Sequence, residues 1–231
     1  MKYIYSIMLV IIIISFSLKA QNMSVFLKAT QSDWYPEFLN PVVKTITNYT
    51  AGTKILDVGT GPGTLPQMLI ESDSRLLITG IDIDNNMIET ARKRFQHANV
   101  SFQYQRINAP LDFEASYFDI VTFCSVLFLV NDSIKTNLMN EALRVLNSSG
   151  KIIILTPKGG KSIISAFTEV RQYKSSFKNF TFLIWKMATT RSARKWQSEK
   201  WAKNFATENK LHYTISTVFN NNATIEMLTK I

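Results

Sequence analysis

The chain reads as an α/β protein, a mainly parallel sheet with helices on both faces, and three observations predict it. Apolar runs of strand length alternate with amphipathic runs of helix length from residue 33 onward, the pattern of βαβ units. The first apolar run breaks into a glycine turn that opens a helix, where backbone N–H groups face a polar ligand. The chain closes in two runs, His212–Phe219 and Thr224–Lys230, joined by Asn220-Asn221-Asn222, a hairpin signal. At 231 residues one such domain is the default.

Residues 1–21 stand apart from this pattern. Between Lys2 and Lys19 lie 16 mostly apolar residues, short of the roughly 20 that a membrane span wants. A basic start, a short apolar core and Ala20 before Gln21 describe a cleaved export signal or a retained anchor. Leu18, where a cleavage site wants a small residue, keeps the anchor open. Residues 22–231 then form the folded domain.

Residues 33–48 suggest a capped helix leading into the first strand, Lys54–Val58. Its Trp34 and Tyr35 either pack against the sheet or line a site. Gly59, Gly61 and Gly63 follow at alternate positions, then Leu65, Met68, Leu69 and Ile70 at helical spacing, with Pro66 suited to a first turn. Leu76–Asp84 is a second strand ending in acids. Asp84 suits the cap of a helix from Asn86 to Phe95. Val100–Gln105 alternates like a strand, and Phe118–Leu127 reads as the fourth. Ser133 to Leu146 is an amphipathic helix with Ile134, Leu138, Ala142 and Val145 on one face. Asn147-Ser148-Ser149-Gly150 should stop it before a fifth strand, Lys151–Pro157.

The glycine spacing narrows the ligand. Dinucleotide sites want G-x-G-x-x-G, whereas this chain has G-x-G-x-G with Thr at position 64. An acid, Asp57, sits at the strand end; a carboxylate there would repel pyrophosphate and suit an ammonium or sulfonium. Asp82 lies 19 residues beyond Gly63, close to the roughly 20 expected of an acid that binds ribose hydroxyls.

Asp57-Val58-Gly59-Thr60-Gly61-Pro62-Gly63 resembles the first motif of class I S-adenosylmethionine-dependent methyltransferases, and the likeness runs from about residue 33 to the end. It implies a Rossmann-like seven-stranded sheet and S-adenosyl-L-methionine as cofactor. Asp57, Gly59, Thr60, Gly61 and Gly63 would hold its methionine end and Asp82 its ribose. Ile83, Asn108 and Ala109 would hold the adenine, although Asn108 stands where many of these enzymes have an acid. Cys124 reads as a small apolar wall, and Tyr35, Ser125 and Phe128 would face the methyl acceptor. No residue stands out as a general base. A catalytically silent S-adenosylmethionine-binding module and an RNA methyltransferase are the alternatives.

Composition limits the chemistry. One cysteine excludes a disulfide framework, and with two histidines a metal centre is not expected. Asn-Pro-Pro-Tyr and a Pro-Cys pair, the marks of two kinds of DNA base methylation, are absent. The net charge of +9 is uneven: residues 1–150 carry 12 Lys and Arg against 13 Asp and Glu, residues 151–231 carry 14 against 4. Much of that basicity falls in a segment after the fifth strand, about 159–194, that interleaves aromatic and basic residues. It reads either as a lid for a lipid headgroup, an anionic small molecule or a nucleic acid strand, or as a solvated cap with an apolar inner face. No RNA-binding module accompanies it, so a small-molecule or lipid-like acceptor is the expectation. The cofactor's chemistry places the domain at the cytoplasmic face of a membrane, held through residues 3–18, with export the alternative.

Overall fold

A computed structural model describes residues 24–46, 50–160 and 163–230. Its seven strands are β1 (Lys54–Val58), β2 (Leu77–Asp82), β3 (Val100–Tyr104), β4 (Phe118–Cys124), β5 (Leu146–Pro157), β6 (His212–Val218) and β7 (Ala223–Thr229). They form one sheet in the order β3-β2-β1-β4-β5-β7-β6, in which only β7 runs antiparallel to its neighbours. Strand order reverses between β1 and β4, which opens a crevice beyond their C-terminal ends.

Side-chain alternation builds a core on each face. Ile55, Ile120, Ile153 and Leu155 point to one face, under α1 (Trp34–Ile46) and α2 (Thr64–Ser72). Leu56, Val58, Val121, Phe123, Ile152 and Ile154 point to the other, under α4 (Asp132–Val145) and α7 (Trp201–Glu208). Strands buried on both faces read as unbroken apolar runs, which made them legible. Asp84 caps α3 (Asn85–Arg94) as expected, accepting from Asn86 N.

Two expectations need correction. In α4 the buried stripe is Lys135, Met139, Ala142 and Val145, while Ile134 and Leu138 are only half buried. Lys135 can lie inside because its ammonium sits 5.4 Å and 5.2 Å from the Trp196 and Trp201 ring centres and pairs with Asp132 at 2.9 Å. Asn147–Gly150 does not end the helix before β5 but belongs to β5, whose register on β4 shifts between Phe118 and Ile120. The Asn147 side chain turns this stretch by bonding Asp119 and the Ser149 N–H.

After β5 come α5 (Ile163–Val170) and the 23-residue α6 (Phe177–Glu199). At about 1.5 Å per residue, α6 spans roughly 35 Å. Phe182, near its start, packs into the first core and Trp196, near its end, into the second. Trp34 is fully buried against Phe182 and Trp185, at 5.5 Å and 5.1 Å between ring centres, and donates from Nε1 to Thr181 Oγ1. It is therefore a core residue. Among the described residues no helix is long and apolar enough to cross a membrane; the apolar run at 3–18 lies outside them.

Candidate functional site

The turn after β1 is held in left-handed backbone: φ is +73° at Gly59, +56° at Gly61 and +79° at Gly63, values that glycine alone adopts at little cost. The N–H groups of Gly59 and Thr60 both donate to Ile81 O, at 2.8 and 3.0 Å, and Gly61 N donates to Asp82 Oδ2 at 2.8 Å. Asp82 Oδ1 accepts from Asp84 N at 2.9 Å. The carboxylate expected at the ribose thus also fastens the glycine turn to the tip of β2. Burial raises its pKa, against the pull of those N–H bonds. A Cβ on Gly59 would lie 2.4 Å from Val126 Cγ2, so the loops after β1 and β4 meet there.

Beside this turn lies a cavity of about 290 Å³, near the small end of ligand pockets. Gly59, Asp82, Ile83, Asn108 and Ala109 line it, five of the ten cofactor residues expected. Its far wall, Leu111, Val126, Ile134 and Leu138, escaped sequence reading. The signal was present in the α4 pattern, but periodicity cannot say which apolar residues face a sheet and which a cavity. Glu141 and Arg144 brace the loop that carries Asn108 and Ala109. Glu141 Oε2 accepts from Leu111 N at 2.7 Å, and Arg144 donates to the carbonyls of Leu111 and Phe113 at 2.8 Å. Asn108 itself sits at φ +57°.

A second, buried group adjoins the other side of the turn. Asp57 is 2% exposed and accepts from Thr122 Oγ1 at 2.7 Å. Burial, with the Asp82 charge adding to it and the Thr122 hydrogen bond opposing, pushes its pKa up to about 6. The hydroxyls of Thr60, Thr64 and Ser125 are buried with no hydrogen-bond partner. Ser125 closes β4 at φ +60°, a backbone cost concentrated at functional sites. Tyr35 and Cys124 are also electrostatically coupled to this group. Burial raises both, and the Asp57 charge adds to each. Phe26, from a helical stretch at 24–29, meets Tyr35 edge-on at 6.1 Å and lies against Gly61.

Of the three residues expected to face an acceptor, none lines the cavity. Tyr35 belongs to the core on the α1 face, Phe128 to the core on the opposite face, and Ser125 lies at the strand end beside Cys124.

The geometry can hold an adenosine-like group in the cavity and a small cation near Asp57. Three unpartnered buried hydroxyls and a glycine cradle fit the methionyl end of S-adenosylmethionine, since orphaned polar groups cost about 1–3 kcal/mol each until something bonds them. A family model described as a methyltransferase domain matches residues 49–215. The chain belongs to that family. Its relatives include a ubiquinone/menaquinone biosynthesis C-methyltransferase of Desulfotalea psychrophila, 33% identical over 117 residues, half of this chain and 46% of the relative. A malonyl-[acyl-carrier protein] O-methyltransferase of Acetivibrio thermocellus is 36% identical over 44% of this chain and 35% of its own length. The methyltransferase chain thus spans under half the length of either relative. Among solved structures, a SAM-dependent methyltransferase from Aquifex aeolicus shares the fold with a TM-score of 0.64 at 14% identity, covering 90% of this chain and 98% of that one. A plantazolicin methyltransferase in complex with SAH does so at 0.60 and 16%, covering 94% and 87%.

Proposed function

We propose that this methyltransferase domain transfers a methyl group from S-adenosyl-L-methionine to a small-molecule or lipid-like acceptor. One observation carries the reading: a single glycine turn joins an adenosine-sized cavity to a buried carboxylate and its unpartnered hydroxyls. Ile83, Ala109, Val126 and Leu138 would enclose the adenine, with Asn108 at its polar edge. Asp82 would receive the ribose hydroxyls without releasing the turn, because a carboxylate offers about four lone-pair sites and two are in use. Asp57 would face the ammonium, and Thr60, Thr64 and Ser125 would supply the remaining polar contacts. The cofactor's sulfonium supplies an activated methyl group, so what the chain must add is alignment of the acceptor.

The acceptor class rests on relatives named for quinone biosynthesis and for an acyl-carrier substrate, together with the absence of an RNA-binding module in the sequence. A position at the cytoplasmic face of a membrane follows from the cofactor's origin; export remains the alternative if residues 1–20 are removed. Calorimetric titration with S-adenosylhomocysteine tests the cofactor, and transfer of labelled methyl into a cell extract tests turnover. Tight binding without any labelled product would favour the silent binding module. Binding of NADH in place of S-adenosylhomocysteine would overturn the reading.

A further inference from the structure

Helix α6 carries apolar side chains on two opposite faces, and only one of them is covered. Inward, Phe182, Ala193 and Trp196 are buried. Outward, Phe177, Phe180, Ile184 and Met187 recur at i, i+3, i+7 and i+10, a single stripe at helical spacing. They are 59%, 42%, 40% and 65% exposed. No α6 residue lines the described cavity, so this stripe is not a wall of the cofactor site.

Charge around the stripe says what covers it. Between Glu169 and Glu199 the chain has no acid but seven Lys and Arg. Arg191 and Lys195 continue the same helix face beyond Met187, and Lys174 and Lys178 flank its start. Lys28 comes over from the segment before α1 and sets its ammonium 5.0 Å from the Phe177 ring centre. Of the acids around it, Glu199 pairs with Lys195 in the last turn of the helix, while Asp33 and Glu37 accept hydrogen bonds from Asn179 and Tyr173. An apolar stripe on a helix whose flanking charges are mostly cations matches an interface where hydrocarbon lies beneath anionic headgroups.

We infer that the outward face of α6 is a docking surface for an anionic lipid bilayer, with the four apolar side chains entering the headgroup region and the cations resting on phosphates. This surface is separate from methyl transfer and stands or falls by itself. It also differs from anchoring through residues 3–18, and the test must read α6 alone.

Met187→Cys in the full chain, labelled with an environment-sensitive fluorophore, provides that reading. Cys124, the one native thiol, is replaced by Ala in both labelled variants, so the introduced cysteine is the one labelled. Lys93→Cys, exposed on α3, is the control. Vesicles of equal parts phosphatidylcholine and phosphatidylglycerol should shift the emission of the label at 187 to the blue and leave that at 93 unchanged. Vesicles of phosphatidylcholine alone should bind at least about tenfold more weakly, and added salt should weaken the mixed vesicles toward that level. Phe177→Ser with Ile184→Ser should lower vesicle affinity about tenfold while leaving thermal unfolding and S-adenosylhomocysteine affinity unchanged. Co-sedimentation with no shift at 187 would place the anchor elsewhere and overturn the proposal. A label already blue-shifted without vesicles, with a dimer in solution, would assign the face to a second copy and overturn it equally.

Discussion

The two halves of the cofactor site are built on opposite principles. The cavity half is open and lined by loops: Ile83 is 56% exposed, and Asn108 and Ala109 ride a segment tied down by Glu141 and Arg144. The Asp57 half is closed, its carboxylate buried and three hydroxyls left without partners. The glycine turn joins the two. An open half can be preformed at no electrostatic cost, whereas a buried carboxylate among unbonded hydroxyls is a strained resting state that a polar cation would relieve. The difference suggests that the first half sets which nucleoside enters and the second makes binding respond to charge.

The shared turn is the place to break both halves together. Gly59→Val adds a branched side chain at φ +73° whose Cβ would fall 2.4 Å from Val126. Strain and overlap of about 3 kcal/mol correspond to a loss of more than about a hundredfold in S-adenosylhomocysteine affinity. A folded variant binding normally by calorimetry would return the turn to the role of a connector. Asp82→Ala should cost about 10- to 100-fold, since it removes a charged acceptor from two hydroxyls, roughly 1.5–3 kcal/mol. It also frees the Gly61 N–H, so the thermal midpoint should fall slightly. Unchanged affinity would remove Asp82 from the ribose.

How far the sequence revealed this contrast depends on the type of signal. Ile55, Leu56, Val121 and Ile153 announced a sheet buried on both faces, because neither face needed polar residues. The glycines and Asp82 were legible because positive φ and a strand-end acid are local requirements. Ile134 and Leu138 were visible as apolar but were grouped with Ala142 and Val145 on one helix face; their place at the cavity accompanies Lys135 turning inward onto two tryptophans some sixty residues away. Tyr35 and Phe128 fall on opposite faces of the sheet, which composition and spacing cannot tell. The turn at Asn147–Gly150 gave a correct local bend and a wrong element, since the stretch is an irregularity within β5, held by the Asn147 side chain, and not a loop before it.

Proton linkage sharpens the contrast further. With the Asp57 pKa near 6 when folded and about 3.9 for an ordinary aspartate, the folded state holds a proton that the unfolded chain gives up earlier. Stability from this group is therefore greatest below about pH 4 and is lost as pH rises through 6, by about 3 kcal/mol in all. Chemical denaturation should show that decline in the free protein, and Asp57→Asn should remove it. A bound ammonium reverses the preference, because it favours the ionised carboxylate. Affinity for S-adenosylhomocysteine should then be about tenfold weaker one pH unit below the Asp57 pKa than well above it. An equally steep profile in Asp57→Asn would show that the cavity half, not the buried half, carries the charge response.

The smallest expected effect concerns how a ligand reaches the closed half at all. Phe26 lies against Gly61 and meets the Tyr35 ring edge-on, so the 24–29 stretch roofs the turn just where the buried carboxylate begins. Ala29 fixes the end of this stretch in the core, but Phe26 itself is only partly buried against it. Segments held by few apolar contacts open most readily, and opening of this kind limits many binding steps. Phe26→Ala should therefore speed S-adenosylhomocysteine association several-fold, on the order of 1 kcal/mol of barrier, while changing the equilibrium constant much less because release speeds up as well. Stopped-flow fluorescence of the native tryptophans can follow both rates. If association is unchanged and only release accelerates, Phe26 is a contact of the bound ligand, and the closed half must fill by another route.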